Sequence, residues 1–237
     1  MGKLIGGGLI ILGIGLWYYG GSSGSTSMVS LGLGAIILGL VLSAFPFRGY
    51  VARDALPLLT GSLCEFVEES VRGLELEGVP VVIPPYDNLP RGGVFIPKSG
   101  RFSLSLGMLH EGDVFVLAGG GGLLISPAPG WEVVEYTVRN SGDIRGTGVG
   151  YASSAVSSTL SALGLGSAQA FDEGGGRISV FVRPLCGGSV YSDPVVVAVL
   201  LGIAMGENQL LEVESSEVVG EYVRITLRKI GGVEEWL

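Results

Sequence analysis

The chain has 237 residues, a formal net charge of −8 and an apolar content of 47%. All 22 acidic residues lie at or beyond Asp54, but only 11 of the 14 basic residues do, so that region carries a net charge of −11. Nucleic-acid affinity comes mainly from basic side chains that neutralise phosphates. This composition therefore argues against nucleic acid as a partner.

Two apolar runs without a charged residue open the chain, at residues 4–20 and 28–46. An uncharged spacer, GSSGSTS, separates them. A helix needs about 20 apolar residues to cross a bilayer core of roughly 30 Å, and each run is about that long. We therefore predict a transmembrane hairpin over residues 1–53. A soluble domain follows over residues 54–237, with candidate lobes at 54–140 and 141–237.

Basic residues near the two runs predict the orientation of this hairpin. Lys3 precedes the first run, Arg48 and Arg53 follow the second, and the spacer carries no charge. Because positive charge is retained on the cytoplasmic side of a membrane, we expect a multi-pass cell-membrane protein with both termini and the domain in the cytoplasm. A cleaved signal peptide is the alternative, but the second run would still anchor the chain in the lipid bilayer.

Small residues recur along both runs. They form one stripe with a repeat of seven residues and one with a repeat of four: Gly6, Gly13 and Gly20, and Ala35, Gly39 and Ser43. Such stripes let helix backbones approach closely. We expect helix packing at these residues, either between the two helices or against a protein partner or a second copy. Neither run contains a charged side chain, which argues against an ion or proton pathway through the hairpin.

Patterning beyond residue 54 predicts an α+β fold. Short runs bounded by Gly, Pro or Asn are typical of strands. They occur at residues 80–83, 93–96, 102–106, 113–118, 123–126, 131–139, 177–183, 210–214 and 220–230. We expect a mixed, mainly antiparallel sheet with about three helices. In the last strand apolar and polar residues alternate, which predicts one wet face.

The first helix of the domain is predicted to begin at Ser62, because Ser62 and Glu65 form an S-x-x-E capping box. Five apolar residues fall on one face of it and are expected to pack on the sheet: Leu63, Phe66, Val67, Val71 and Leu74.

Two further helices are predicted in the second half of the chain. One, rich in Ala and Ser, spans residues 151–163. The other follows Ser192 and Asp193, which are good N-caps, and has Pro194 in its first turn. It is apolar all round and runs to Met205, too short to span a bilayer, so we expect a fully buried core helix.

The strongest hint of a ligand site is the loop that contains Arg145, Gly146, Gly148 and Gly150. It precedes a predicted helix, where backbone N–H groups could receive a phosphate or another anion. The spacing is G-x-G-x-G and not the G-x-G-x-x-G of dinucleotide-binding folds. The alternative is a cluster that arises by chance in a chain with 42 glycines.

No catalytic group, metal site or cofactor is predicted. His110, Glu111 and Asp113 cluster in a turn, but His110 is the single histidine of the chain, and metal sites usually take several ligands from separate elements. Three serines share one helical face and are interpreted as a small-residue packing face: Ser153, Ser157 and Ser161. No G-x-S-x-G motif is present to support a hydrolase. Whether the chain is an enzyme stays open, with the balance against it.

Cys64 and Cys186 are the only cysteines, and no CxxC motif occurs. This pattern does not indicate a disulfide-rich scaffold or a zinc site. Two buried free thiols are the simpler interpretation. One bridge is the alternative if the domain faces an oxidising compartment.

The general layout resembles that of uncharacterised archaeal membrane proteins with a two-helix N-terminal anchor and a cytoplasmic α/β domain. The resemblance lies in the glycine-rich paired runs, the VVIPP and VFIP segments, and the DPVVVAVLLGIAM helix followed by strands. It covers most of the chain. It implies no activity, cofactor or catalytic residue.

These observations favour a non-enzymatic, membrane-anchored binding or scaffold module whose domain binds a protein or a small ligand. The second hypothesis is a membrane-bound enzyme that acts on a nucleotide or a phosphorylated substrate through the glycine loop. The third is a small subunit of a larger membrane complex.

Overall fold

The computed structural model describes residues 2–44, 53–116 and 121–237. The chain divides into two compact units, Met1–Tyr50 and Val51–Leu237. Arg48, which the orientation argument used, lies outside the described residues.

The first unit is a hairpin of two helices, α1 (Gly2–Ser23) and α2 (Thr26–Ala44). Gly6, Gly13 and Gly20 lie where α1 meets α2, and all three are buried. A Cβ atom at Gly13 would lie 2.8 Å from the Gly32 carbonyl oxygen, and one at Gly39 would lie 2.7 Å from the Gly6 carbonyl oxygen. Ser43 also lies at this contact, and Ala35 is half-buried. The small residues therefore let the two helices of the hairpin approach each other closely.

Within the described ranges, no helix combines the length and the apolar character needed to cross a bilayer. This finding contradicts the predicted transmembrane hairpin, and with it the multi-pass cell-membrane location and its orientation. The physical reason lies in composition: residues 6–23 include seven glycines and two serines, which add little or no hydrophobicity.

The second unit contains five helices and eight strands in its described part. The helices are α3 (Leu56–Gly73), α4 (Trp131–Ser141), α5 (Gly148–Ala162), α6 (Pro194–Glu207) and α7 (Val233–Trp236). The strands are β1 (Val81–Ile83), β2 (Gly93–Pro97), β3 (Phe115–Val116), β4 (Gly122–Ile125), β5 (Ala168–Gly174), β6 (Arg177–Val182), β7 (Gln209–Val219) and β8 (Tyr222–Gly232). They form one sheet in the order β3-β4-β2-β1-β7-β8-β6-β5, and each pairing is antiparallel. The predicted α+β class is confirmed.

The two halves of this sheet differ in how they are covered. In β1 the consecutive residues Val81 and Val82 belong to two different hydrophobic cores, one on each face of the sheet. This explains why β1 and β2 are buried throughout. In β8, by contrast, Val223, Ile225 and Leu227 are buried and the residues between them are not. The predicted wet face is confirmed there.

Helix α6 is the centre of the larger core, as predicted. Its residues from Val195 to Gly206 are all buried. Asp193 is the N-cap and is fully buried, and its Oδ1 accepts from the N–H groups of Val195 and Val196. Its Oδ2 accepts three more N–H groups, from Leu185, Cys186 and Gly188. One carboxylate therefore holds both the start of α6 and the loop before it.

Helix α3 departs from its prediction in both start and orientation. It begins at Leu56, with Pro57 in its first turn, so the capping box at Ser62 is wrong. Val71 is buried as expected, but Leu63 and Phe66 are exposed. The physical reason is a disulfide between Cys64 and Cys186, which fixes the side of α3 that faces the domain. The prediction of free thiols is wrong.

Two strand predictions fail, and a third is confirmed only in part. Residues 131–139 form helix α4, since Trp131, Val134 and Val138 pack inward with helical spacing. Residues 102–105 have no regular structure. The strand predicted at 113–118 is β3, which is only two residues long, and residues 117 and 118 lie outside the described part of the chain.

Candidate functional site

An open groove lies between helix α5 and strand β5 and has a volume of about 680 Å³. Among the described strands β5 is the last of the sheet, so one of its edges has no described strand beside it. Residues 168–171 of β5 form one wall. Five serines of α5 form the other: Ser153, Ser154, Ser157, Ser158 and Ser161. We call this the strand–helix groove.

Helix α5 presents serines to the groove because its apolar residues face the other way. Ala152, Val156 and Leu160 are fully buried in the larger core, at helical spacing. The serines occupy the remaining side, as the shared face predicted. Of the three serines predicted as a packing face, Ser153 is buried, Ser157 is half-buried and Ser161 is exposed.

The free edge of β5 presents backbone hydrogen-bonding groups to the groove. The Ala168 N–H donates to Ser157 Oγ at 3.0 Å, so it points away from β6 and towards α5. In an antiparallel strand the N–H and C=O groups of every second residue point to the same side. The N–H and C=O of Ala170 therefore also face the groove, followed by those of Asp172.

Some of the serine hydroxyls are already engaged. Ser153 Oγ donates to the Gly150 carbonyl and Ser161 Oγ to the Gly166 carbonyl. Within the described part of the chain, the hydroxyls of Ser154 and Ser158 have no hydrogen-bond partner. These two hydroxyls and the Ala170 backbone are the groups that a bound molecule would meet.

The predicted glycine loop lies at the start of α5, but its anion position is taken by the chain itself. The Val149 N–H donates to Glu207 Oε1 at 2.9 Å. Glu207 Oε2 in turn pairs with Lys229 Nζ at 2.6 Å. A carboxylate at a helix N-terminus is stabilised by the helix dipole. Glu207 thus supplies the negative charge that the loop was predicted to take from a phosphate.

Arg145 and Gly146 precede α5, whereas Gly150 lies in its first turn. Gly146 donates its N–H to the Met205 carbonyl. Arg145 donates its backbone N–H to Asp143, and its guanidinium makes no ion pair among the described residues. Gly148 has φ +84°, and a Cβ there would lie 3.8 Å from Glu207 Oε1.

Lys229 connects this loop to β5, because its Nζ also pairs with Asp172 Oδ2 at 2.9 Å. Burial alone would lower the pKa of Lys229, but the hydrogen bonds to Glu207 and Asp172 outweigh it and raise that pKa above 10.5. The hydrogen bond from Lys229, followed by that from the Gly174 N–H, lowers the pKa of Asp172 below 3.8. Both shifts favour the charged forms.

We expect this network to stabilise the fold across a defined pH range. A lowered carboxyl pKa gives stability that is present above pH 3.8 and is lost as the pH falls through the folded-state pKa of Asp172. A raised lysine pKa gives stability that is present below pH 10.5 and is lost as the pH rises through the folded-state pKa of Lys229. Lys229→Met should therefore lower the urea concentration at the unfolding midpoint, and the decrease should be largest between pH 3.8 and pH 10.5. Arg139→Met, which breaks an exposed pair with Glu135, is the control and should change it little.

The other candidate residues do not join the groove. His110 precedes β3, at the opposite end of the sheet from β5. Its backbone N–H donates to Asp113 Oδ2, and Glu111 pairs with Arg91. Across residues 2–44, 53–116 and 121–237, no three His, Cys, Asp or Glu residues are grouped so that they could hold a metal ion.

The sequence reasoning missed the wall of the groove that β5 forms. Its sequence, AQAFDEG, has few β-branched residues and ends in acidic residues and glycine. The signal that could have found it is the pairing partner: the strong strand RISVFV follows directly after a turn of three glycines. A hairpin turn implies a strand on both sides.

No family model matches this chain, and neither a curated protein nor a solved structure matches it.

Proposed function

We propose that this protein is a non-enzymatic binding module that takes an extended polypeptide segment into the strand–helix groove. The observation that carries the proposal is the free edge of β5, whose Ala170 N–H and C=O face the groove. A peptide that lies beside such an edge can extend the sheet by main-chain hydrogen bonds. Side-chain selection would then come from the opposite wall.

The lining of the groove supports a polar occupant. The hydroxyls of Ser154 and Ser158 can each donate one hydrogen bond and accept up to two. Both residues are exposed on the wall opposite β5. The chain from Asp54 onward has a net charge of −11. Charge repulsion disfavours an acidic segment, so the proposed ligand is an uncharged or basic stretch of extended chain.

The same residues argue against hydrolysis in the groove. A serine nucleophile needs an adjacent base to activate it. The single histidine, His110, lies before β3 at the far edge of the sheet. Ser157 Oγ accepts the Ala168 N–H and Ser153 Oγ donates to a carbonyl. Their roles are structural.

Ala170→Pro tests this function directly. Proline removes the Ala170 N–H, which faces the groove, and an edge strand tolerates proline when that N–H is not part of the sheet ladder. The probe is a set of short peptides selected for binding from a random library. We expect their affinity, measured by calorimetry, to fall about tenfold, which corresponds to the loss of about one hydrogen bond.

Ala170→Ser is the matched control, because it keeps the N–H and should keep the affinity. Hydrogen exchange locates the bound peptide: it should protect the amides of Ala170 and Asp172 from exchange in the wild type. Equal peptide affinity of Ala170→Pro and the wild type would contradict the proposal, as would protection confined to another surface.

A further inference from the structure

Four large apolar side chains of helix α3 are exposed and do not pack against the rest of the domain. Leu58, Leu59, Leu63 and Phe66 are 84%, 72%, 64% and 68% exposed. They lie on one side of the helix, with the exposed Ser62 among them. We call these five residues the outer stripe. Contiguous apolar patches of several hundred Å² on a protein surface mark interaction sites.

The orientation of the outer stripe is fixed covalently. Cys64 and Val71 are the buried residues of α3, and Cys64 is bonded to Cys186 in the loop before α6. Glu68 adds a second tie, because its Oε1 accepts from Ser192 Oγ at 3.0 Å. With both ties on the inner side, the helix cannot rotate to bury the outer stripe against its own domain.

We propose that the outer stripe pairs with the outer stripe of a second copy of this chain, with the two α3 helices antiparallel about a two-fold axis at Ser62. The four apolar side chains expose on the order of 500 Å² per copy, so two copies would bury about 1,000 Å², the lower limit of a specific interface. A two-fold axis uses the same patch on both partners. The small side chain of Ser62 at the centre allows the helices to approach closely.

Charge selects the antiparallel arrangement over the parallel one. Glu69 lies on the outer side of α3 beyond Phe66, is exposed, and pairs with Arg72 of the same helix at 2.6 Å. In a parallel pair, Glu69 of one copy would face Glu69 of the other. In an antiparallel pair centred on Ser62, Glu69 lies opposite Ala55 of the other copy, the N-cap of its α3. The positive end of the helix dipole stabilises a carboxylate at that position.

Cysteine cross-linking in the full chain tests both the surface and its geometry. In Ser62→Cys the two new thiols should meet at the axis, and mild oxidation should give a covalent dimer. Mass spectrometry should then identify a disulfide that joins position 62 of one copy to position 62 of the other. Glu69→Cys is the matched control: its two thiols would be about 20 Å apart along the helices, so it should stay monomeric on a non-reducing gel. Adding Phe66→Ser to Ser62→Cys should reduce the cross-linked fraction at least tenfold.

Each other outcome would overturn the proposal. If Ser62→Cys yields no covalent dimer, another molecule or another part of the chain covers the outer stripe. If Glu69→Cys cross-links as readily as Ser62→Cys, the association is parallel or unspecific. If Phe66→Ser leaves the cross-linked fraction unchanged, the apolar side chains do not drive the contact.

Discussion

Asp193→Ala should lower the free energy of unfolding by at least about 4 kcal/mol, the largest effect that we expect from one side chain. The Asp193 carboxylate is fully buried and accepts five backbone N–H groups. Hydrogen bonds to a charged group contribute about 1.5–3 kcal/mol each, and a buried donor left without a partner costs about 1–3 kcal/mol. Alanine would leave all five donors unpaired. Urea denaturation followed by circular dichroism measures the change.

Asp143→Ala is the control for Asp193→Ala. The Asp143 carboxylate accepts a single exposed N–H, that of Arg145, so its loss should cost less than about 1 kcal/mol. If Asp193→Ala were as stable as this control, the carboxylate would not organise the loop and the start of α6 as described.

Removal of the disulfide should have the second largest effect. The double variant Cys64→Ser, Cys186→Ser should unfold with a free energy about 2–5 kcal/mol lower than the wild type. The bond closes a loop between residues 122 positions apart, and a loop of this length restricts the unfolded chain strongly. Chemical denaturation without reductant gives the comparison.

Dithiothreitol separates the covalent bond from side-chain packing. It should destabilise the wild type to about the level of the double variant and leave the double variant unchanged. A wild type whose stability is insensitive to dithiothreitol, once thiol titration shows complete reduction, would contradict the expectation. A structural disulfide is typical of proteins from oxidising compartments.

The elements that sequence alone predicted correctly are those whose local signals agree with their surroundings. Helix α6 has an N-cap, a proline in the first turn and an apolar run of the right length, and each signal corresponds to a contact in the structure. Strand β8 alternates because one face is in the core and the other is wet. In both cases no distant residue was needed to decide between helix and strand.

The errors occur where a distant contact decides the structure. Helix α4 is rich in β-branched and aromatic residues, which favour strands. It is nevertheless a helix, because one of its faces packs against the core that contains α6. Helix α3 has more than one apolar side, and Cys186 far along the chain determines which side faces inward. The anion site at the glycine loop stays a prediction, and a distant residue, Glu207, accepts a hydrogen bond from the Val149 N–H there.

The strand–helix groove was only half predictable. The shared face of Ser153, Ser157 and Ser161 follows from helical periodicity. Two other facts place this face beside a free strand edge: residues 168–174 form a strand, and that strand is the last in the sheet. The sequence of β5 gives only a weak strand signal. Strand order depends on pairings between remote segments, which local patterns do not reveal.

The centre of the sheet has a consequence for biosynthesis. β1 meets β7 through only two residue pairs, Val81 with Glu212 and Val82 with Leu211, and these partners are more than a hundred residues apart along the chain. A ribosome delivers β1 to β4 well before β7 emerges, so the edge of β1 opposite β2 remains unpaired during that interval. Such edges promote aggregation of incomplete chains. We therefore expect nascent chains that end before β7 to depend on chaperones, whereas chains that include it close the sheet.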